Sequence, residues 1–160
     1  MKKEYVRLRR WRIGDLTGLH VILSTEKDIS YWCGFPFPKD KDDTRNYLAD
    51  LCQRKYWYCI EYGNEIAGSI SLTDKSGGDW ELGYWLRKRF RHKGIMQEAI
   101  RQVKEKAFGE LSAKRILCGW FDGNNASRRC QERSGFIYMK TIRVATAQGV
   151  RTEHCSSCLL

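Results

Sequence analysis

The chain has no run of apolar residues long enough to cross a membrane, and only two prolines among its 160 residues. A spanning helix needs about 20 consecutive apolar residues, so no membrane helix is expected. Residues 1–4 lead into charge rather than into an apolar signal region, and we expect no export. Both prolines fall in segment 28–41, which also holds a glycine and several aromatic residues. This composition predicts a loop, and loops of this kind often line binding sites.

The sequence also lacks the paired spacing of a metal site. Its seven cysteines are an odd, scattered set, which favours reduced thiols in a cytoplasmic protein. Cys155 and Cys158 look like half a zinc site, but on a strand they would face opposite sides, and no second pair follows. No histidine is placed to activate Cys118 or Cys130 as a nucleophile. We therefore predict neither a metal nor a catalytic thiol.

Acidic residues are few beside basic ones, 19 against 29, which gives a net charge of +10. The basic residues form clusters at 2–12, 87–93 and 128–133. A solvated basic surface, a nucleic acid partner and a polyanionic small ligand all fit this charge. Proximity to RNA or to the ribosome stays open on composition alone. The length and the 42% hydrophobic content predict one globular domain, residues 1–160.

One stretch organises the chain. A short apolar segment, Leu82–Leu86, predicts a strand, a basic loop follows at 87–93, and Gly94 precedes a helix with apolar residues four apart up to Phe108. Unpaired N–H groups at such a helix start, together with the basic side chains, make an anion site. A solvated basic turn before a packed helix is the simpler alternative. Neither a P-loop nor a dinucleotide fingerprint is present.

The remaining patterns predict an α+β layout in which two parallel strands are joined by the helix after Gly94. Asp42 and Asp43 are candidate caps for a helix at 44–55. Further strands are predicted at 5–11, 56–62, 66–73, 114–121, 136–143 and 151–160, and further helices from 14 and from 124 to 134.

Two segments on these elements resemble the signatures of one family, the GCN5-related N-acetyltransferases (GNAT). Residues 91–96, RHKGIM, resemble its R/Q-x-x-G-x-G/A loop, with His92 and Met96 departing from the usual small residues. Residues 124–136, NNASRRCQERSGF, resemble its N-x-A-S-x-R-x-x-E-K-x-G-F segment. The run from Glu81 is similar to the ribosomal-protein N-terminal acetyltransferase branch. The resemblance implies a GNAT fold: a mixed, mostly antiparallel sheet of about six or seven strands, about four helices and a splayed parallel pair at the cofactor site.

The same resemblance implies an acetyl-CoA-dependent N-acetyltransferase that acts on a primary amine. A protein or peptide N-terminus is favoured, and a small amine (an antibiotic or a polyamine) is the next candidate. A non-catalytic acyl-CoA- or RNA-binding module on the same fold is the alternative from another class. A monomer or a homodimer would be expected, without a metal and without a membrane partner.

The family's motifs also imply site residues. In the family the backbone of the first splayed strand holds the pantetheine arm and the basic loop holds the pyrophosphate. The matching cofactor-binding positions are Tyr84, Trp85, Leu86, Arg89, Arg91, His92, Lys93, Gly94, Ile95, Met96 and Asn124. Tyr31, Trp32 and Phe35 are implied as a wall of the acceptor groove, with covering the core as the equally open alternative.

Two residues are expected to carry the chemistry. Glu81 matches a strand position that often holds the general base, although a lone carboxylate there is commonly just exposed. Ser127 matches a serine proposed to help protonate the leaving thiolate, and first-turn hydrogen bonding is its alternative. Asn124 can cap the helix as well as contact the cofactor. Gln131 stands where many relatives have a tyrosine acid, and an amide cannot supply a titratable proton.

Overall fold

The structure, a computed structural model, describes residues 5–160; the charged segment 1–4, for which we expect no export role, and with it the start of the basic cluster 2–12, lie outside that range. This part of the chain forms seven strands and five α-helices, so the expected α+β class is confirmed, with one helix more than expected. The strands are β1 Val6–Arg10, β2 Trp57–Tyr62, β3 Glu65–Asp74, β4 Asp79–Leu86, β5 Arg115–Phe121, β6 Ile137–Thr146 and β7 Gly149–Cys158. The helices are α1 Leu16–Thr25, α2 Lys27–Cys33, α3 Lys41–Gln53, α4 Ile95–Phe108 and α5 Asn125–Arg133.

All seven strands belong to one sheet, in the order β1-β2-β3-β4-β5-β7-β6. Neighbours are antiparallel except β4 and β5, which are parallel and joined through α4. This is the predicted crossover, and its parallel pair lies at the centre of the sheet. The pairing of β4 with β5 covers only Asp79–Glu81 against Arg115–Leu117. Beyond these residues the two strands separate, so a gap opens toward their carboxyl ends.

The helices divide between the two faces of the sheet. Helices α4 and α5 pack on one face, and α1, α2 and α3 pack on the other. The predicted apolar spacing of α4 is confirmed, since Ile95, Ala99, Val103 and Ala107 are all buried against the first face. No helix within residues 5–160 is long and apolar enough to cross a membrane.

The predicted loop at 28–41 is wrong in its first half. Helix α2 occupies Lys27–Cys33 and ends at Gly34, whose φ of 77° is left-handed. Ile29 and Ser30 are buried, so burial favours the helix in a stretch that precedes both prolines. The prediction rested on the prolines and aromatic residues, which terminate a helix but do not forbid one earlier in the segment.

The predicted cap of α3 is also wrong. The helix begins at Lys41 and is capped by Asp40, whose side chain accepts a hydrogen bond from the Asp43 amide at 3.0 Å. Asp42 and Asp43 lie in the first turn, where their charges still favour the helix dipole.

A buried ion pair anchors the entry to α1. Asp15 is 6% exposed and accepts two hydrogen bonds from the Arg9 guanidinium, at 2.8 and 2.9 Å. The Arg12 amide donates to the same carboxylate at 3.0 Å. Burial by itself raises the pKa of Asp15, but these donors outweigh it and the pKa is lowered. The carboxylate therefore joins β1 to the helices of one face.

Candidate active site

A cleft of about 1120 Å³ opens where β4 and β5 diverge. It runs from the start of α4 past the start of α5, and α2 forms part of its rim. Ligand pockets commonly measure about 300–1,000 Å³, so this cleft has room for a large, extended ligand.

The backbone of β4 faces this cleft with unpaired groups. The Arg87 amide donates to the Ala67 carbonyl of β3 at 2.8 Å, and in an antiparallel pair alternate residues make such bonds. By this alternation the N–H groups of Tyr84 and Leu86 point the other way, toward the gap. Beyond Glu81 strand β5 no longer pairs with them. A ligand with amide groups can therefore extend the sheet at this edge.

The start of α4 forms the second part of the cleft. Gly94 is the N-cap, with a φ of 75°, and Glu98 is the first residue whose amide bonds back to it, at 3.1 Å. The N–H groups of the first turn, at Ile95 and Met96, are thus left for a ligand. A Cβ on Gly94 would meet nothing within 4 Å, so the glycine is required by its backbone angle rather than by space. This is the geometry of an anion site at a helix N-terminus.

A polar network lies on the α5 side of the gap. The Tyr84 hydroxyl is 2.8 Å from the Ser127 hydroxyl, and Ser127 lines the cleft. The buried amide of Gln131 donates to the Gly119 carbonyl at 2.8 Å and to the Ser127 hydroxyl at 3.1 Å. Its oxygen accepts from the Ser156 hydroxyl at 2.6 Å. Because a carbonyl can only accept, the Gly119 contact fixes which end of the Gln131 amide faces Ser127.

This network determines where the proton of Ser127 can point. Burial raises the pKa of Tyr84 well above its ordinary value, with the nearby thiols adding to the effect, so its hydroxyl keeps its proton. Gln131 donates to the Ser127 oxygen, and in the arrangement where Tyr84 also donates to it, the Ser127 hydroxyl itself remains as a donor. Its open direction is the cleft.

A family profile described as an acetyltransferase (GNAT) domain matches residues 6–137 of this chain. The chain belongs to the GNAT family. It is therefore an N-acetyltransferase, and the seven-stranded mixed sheet with its parallel β4 and β5 is the GNAT fold expected from the two signatures. The resemblance to the ribosomal-protein branch is confirmed as well, by the relatives below.

Among curated proteins, the chain is 29% identical over 144 residues to the "Putative ribosomal N-acetyltransferase YdaF" of Bacillus subtilis (strain 168). The match covers 84% of this chain and 79% of YdaF. A solved acetyltransferase of Salmonella typhimurium, described as modifying the N-terminal serine of ribosomal protein L7/L12, superimposes with a TM-score of 0.84 at 19% identity, over 97% of this chain and 95% of that one. The microcin C7 self-immunity acetyltransferase MccE, solved with acetyl-CoA and AMP, gives a TM-score of 0.85 at 19% identity, over 97% and 92%.

The structure brings most of the predicted positions of this GNAT domain into the cleft. The cleft lining includes both expected catalytic residues and most of the cofactor positions: Glu81, Ser127, Tyr84, Trp85, Leu86, Arg91, His92, Gly94, Ile95, Met96 and Asn124. Asn124 also caps α5, since its side chain accepts from the Ser127 amide at 3.2 Å. Trp85 contributes its backbone, because its ring is buried in the core on the α1 side.

Four predicted residues lie outside the cleft lining. Arg89 forms an ion pair with Glu65, and the Lys93 ammonium lies 6.0 Å from the Phe90 ring. Both turn away because a 3-10 turn at 88–90 reverses the chain before α4. Arg91 does line the cleft, and its guanidinium donates a hydrogen bond to the Leu86 carbonyl at 3.0 Å.

The expected aromatic wall is only partly formed. Trp32 lines the cleft, while Phe35 packs on Tyr47 with ring centroids 5.3 Å apart. Tyr31 lies outside the lining and is covered by the Arg151 guanidinium, 4.2 Å from its ring. Phe35 therefore fits the alternative of covering the core, whereas Tyr31, which is 47% exposed, neither lines the cleft nor covers the core.

Sequence reasoning missed several charged residues of the cleft, and three of them bear on its chemistry. Arg129 and Arg133 line it from α5, and within residues 5–160 neither makes an ion pair. The third is Glu153 of β7, whose carboxylate contacts the α-carbon region of Gly119. A glycine inside a strand signals close approach by another group, so Gly119 was a signal that the strand prediction did not use.

The thiols of the cleft do not have the character of nucleophiles. Burial raises the pKa of Cys33 to about 12 and raises that of Cys118 further. A thiol with so high a pKa is rarely a thiolate, and the thiolate is the reactive form. Within residues 5–160, no three His, Cys, Asp or Glu side chains lie close enough together to hold a metal ion.

Proposed function

We propose that this chain transfers the acetyl group of acetyl-CoA directly to a primary amine, and that the amine is the N-terminus of a protein or peptide. The observation that carries the proposal is the gap between β4 and β5, which has carboxylates on one face and the Ser127 hydroxyl on the other. The similarity to YdaF and the L7/L12-modifying neighbour supports the class of acceptor. We place the reaction in the cytoplasm, with the enzyme as a monomer or homodimer.

The cleft residues fit the donor. The free N–H groups of Tyr84 and Leu86 match the amides of the pantetheine arm, and the first turn of α4 matches the pyrophosphate. Arg129 and Arg133 supply unpaired positive charge for the remaining phosphate. Bound acetyl-CoA supplies an acyl group on a thiol that is a good leaving group.

Protons must move in two directions. An amine in its ammonium form has to lose a proton before its nitrogen can form the C–N bond, and Glu81 is the proposed base, directly or through water. As the C–S bond breaks, the sulfur gains negative charge, and the Ser127 hydroxyl donates a hydrogen bond to it. Of the two protons lost by the ammonium overall, one ends on the thiol and one enters solvent.

The small-amine alternative is tested in the same assay. Purified protein is incubated with acetyl-CoA and, separately, with a peptide that begins with serine, with spermidine and with an aminoglycoside, and free thiol is measured. We expect the peptide to give the highest kcat/KM, because the +10 charge of the protein disfavours polycations. A higher kcat/KM with spermidine or the aminoglycoside than with the peptide would show that the acceptor is a small amine. Absence of acetylation of every acceptor would overturn it.

A further inference from the structure

Glu153 is a charged residue of the cleft that has no role in the proposed acetyl transfer. Its side chain is half-buried and lines the cleft, and no hydrogen bond or ion pair to its carboxylate is present within residues 5–160. Other carboxylates of low exposure are compensated: Asp15 and Glu61 by Arg9, and Glu26 by Arg87. Leaving a half-buried carboxylate without a partner costs free energy. The chain has 29 lysine and arginine residues, so the missing partner is not explained by a shortage of basic side chains.

The strand register places Glu153 on the same face of the sheet as Glu81. Glu81 of β4 pairs with Leu117 of β5. Phe121 lies four residues after Leu117 on the same strand and pairs with Glu153 of β7. Paired residues share a face and residues two apart share it as well. Tyr84, of opposite parity to Glu81, points its hydroxyl to Ser127 on the other face.

Gly119 allows the Glu153 carboxylate to reach inward. A Cβ at Gly119 would lie 2.5 Å from Oε1 of Glu153, so the carboxylate occupies the space of the missing side chain. The position of Gly119 is two residues beyond Leu117, the last residue of β5 that pairs with β4. The carboxylate thus lies over β5 where the gap begins, on the side opposite to the Ser127 hydroxyl.

We propose that Glu153 receives the ammonium group of the acceptor and determines that this enzyme takes an amine in its charged form. The inference rests on the proposed acetyl transfer and adds the group that binds the acceptor. The ammonium reaches Glu153 first, forms a charge-assisted hydrogen bond with it, and then loses a proton to the more exposed Glu81. The nitrogen is then on the α2 side of the gap and the sulfur on the α5 side, with the acyl carbon between them.

Electrostatics agree with this assignment. Burial raises the pKa of Glu153, and the neighbouring Glu81 raises it further. Two carboxylates near one another disfavour each other's charge until a cation arrives. An ammonium placed between them relieves that repulsion, so the empty site favours a cationic ligand.

The test compares acceptor and donor kinetics of Glu153→Gln and Gly119→Ala. The glutamine keeps the shape and removes the charge, while the alanine keeps the charge and displaces the carboxylate from its position. We expect the KM for a serine-initiated peptide to rise about 10-fold or more in both variants, the loss of a charge-assisted hydrogen bond. The KM for acetyl-CoA should stay unchanged in both, and Glu153→Asp should recover part of the loss. Glu110→Gln, which removes an exposed carboxylate outside the cleft, is the matched control.

The outcomes separate this inference from the proposed function. If the wild-type protein acetylates no amine, the proposed function fails first. If it acetylates the peptide and both variants keep the wild-type KM for it, the role of Glu153 is refuted while acetyl transfer stands. Melting temperatures of the variants provide a second readout: a merely structural Glu153 would lower thermal stability when replaced, whereas removal of an uncompensated carboxylate should not.

Discussion

The hydroxyl groups of Tyr84 and Ser127 lie 2.8 Å apart across the mouth of the gap, although the residues are 43 positions apart in the chain. Tyr84 is on β4 and Ser127 on the first turn of α5. Their contact joins the two elements on either side of the cleft, β4 and α5. The amide of Gln131, which stands at the position where the family resemblance implied a tyrosine acid, contacts the same serine hydroxyl at 3.1 Å.

Removing the Ser127 hydroxyl should slow the reaction more than it weakens binding. In Ser127→Ala we expect kcat to fall about 10- to 100-fold, which corresponds to one hydrogen bond to a charged group. Tyr84→Phe should also lower kcat, because the Ser127 proton can then turn inward. The fall should be smaller, because the variant keeps the Ser127 hydroxyl. Steady-state kinetics with a serine-initiated peptide measure both. The control is Ser134→Ala, at a serine whose hydroxyl oxygen is buried at the other end of α5, outside the cleft lining. An unchanged kcat in Ser127→Ala contradicts the role.

Glu81→Gln should lower kcat at neutral pH by about 100-fold, the low end for loss of a general base. The side chain is about half exposed, at 52%, and its nearest cation is Lys75 at 3.8 Å, so replacing it should not disturb folding. Affinity for acetyl-CoA should be retained, since the carboxylate lies on the opposite face from α4. The pH dependence of kcat is the decisive measurement, and a profile identical to that of the wild type removes Glu81 from the mechanism.

Gly94→Val should weaken acetyl-CoA binding about 10-fold, because a β-branched residue is strained at a positive φ. The open space around a Cβ at Gly94 means that only the backbone angle is tested. Gly94→Asn is the matched control, since asparagine adopts the left-handed region readily. Titration calorimetry with acetyl-CoA measures all three proteins. Equal affinity of the valine variant would exclude this loop as the phosphate site.

Asp15→Asn should destabilise the protein by about 3 to 5 kcal/mol, because it leaves the Arg9 guanidinium buried without its main partner. The folded protein lowers the pKa of Asp15, so its contribution is fully present above the ordinary aspartate pKa. That contribution is lost as the pH falls through the lower pKa of the folded state. The difference in unfolding free energy between wild type and variant should therefore be largest near neutral pH and shrink below about pH 4.

Denaturant unfolding at several pH values measures this difference. Asp42→Asn serves as the control, because that carboxylate is exposed and its removal should cost little at any pH. A difference between wild type and Asp15→Asn that does not change with pH would contradict the ionic role of Asp15.

Local patterns predicted the elements around the site well. The apolar spacing of α4, the glycine before it and the parallel crossover to β5 were each legible from neighbouring residues, and the structure has all three. The α2 helix was not legible, because the glycine and prolines that follow it directed the prediction to a loop and because its stability comes from burial of Ile29 against other elements. Periodicity reports which face of an element is apolar but not whether a neighbour is present to cover it.

Contacts between distant residues set the limits of prediction within the site. Arg89 and Lys93 have the composition of a phosphate loop, but the short turn at 88–90 directs them away from it. Glu153 lies in a closing strand with no motif, and only the pairing of β7 with β5 brings it over Gly119. In both cases the direction of a side chain depended on a backbone path that composition does not encode.

The sequence alone determined the strand, loop and helix that border the cleft at β4 and α4, because signatures of this kind are local and depend on neighbouring residues. It also determined the family, through two signatures in the right order. Only the tertiary structure decided which hydroxyl faces the cleft from α5 and which carboxylate remains unpaired on the other side of the gap. Those choices depend on strand register and helix packing, which combine residues from all parts of the chain and which no local pattern specifies.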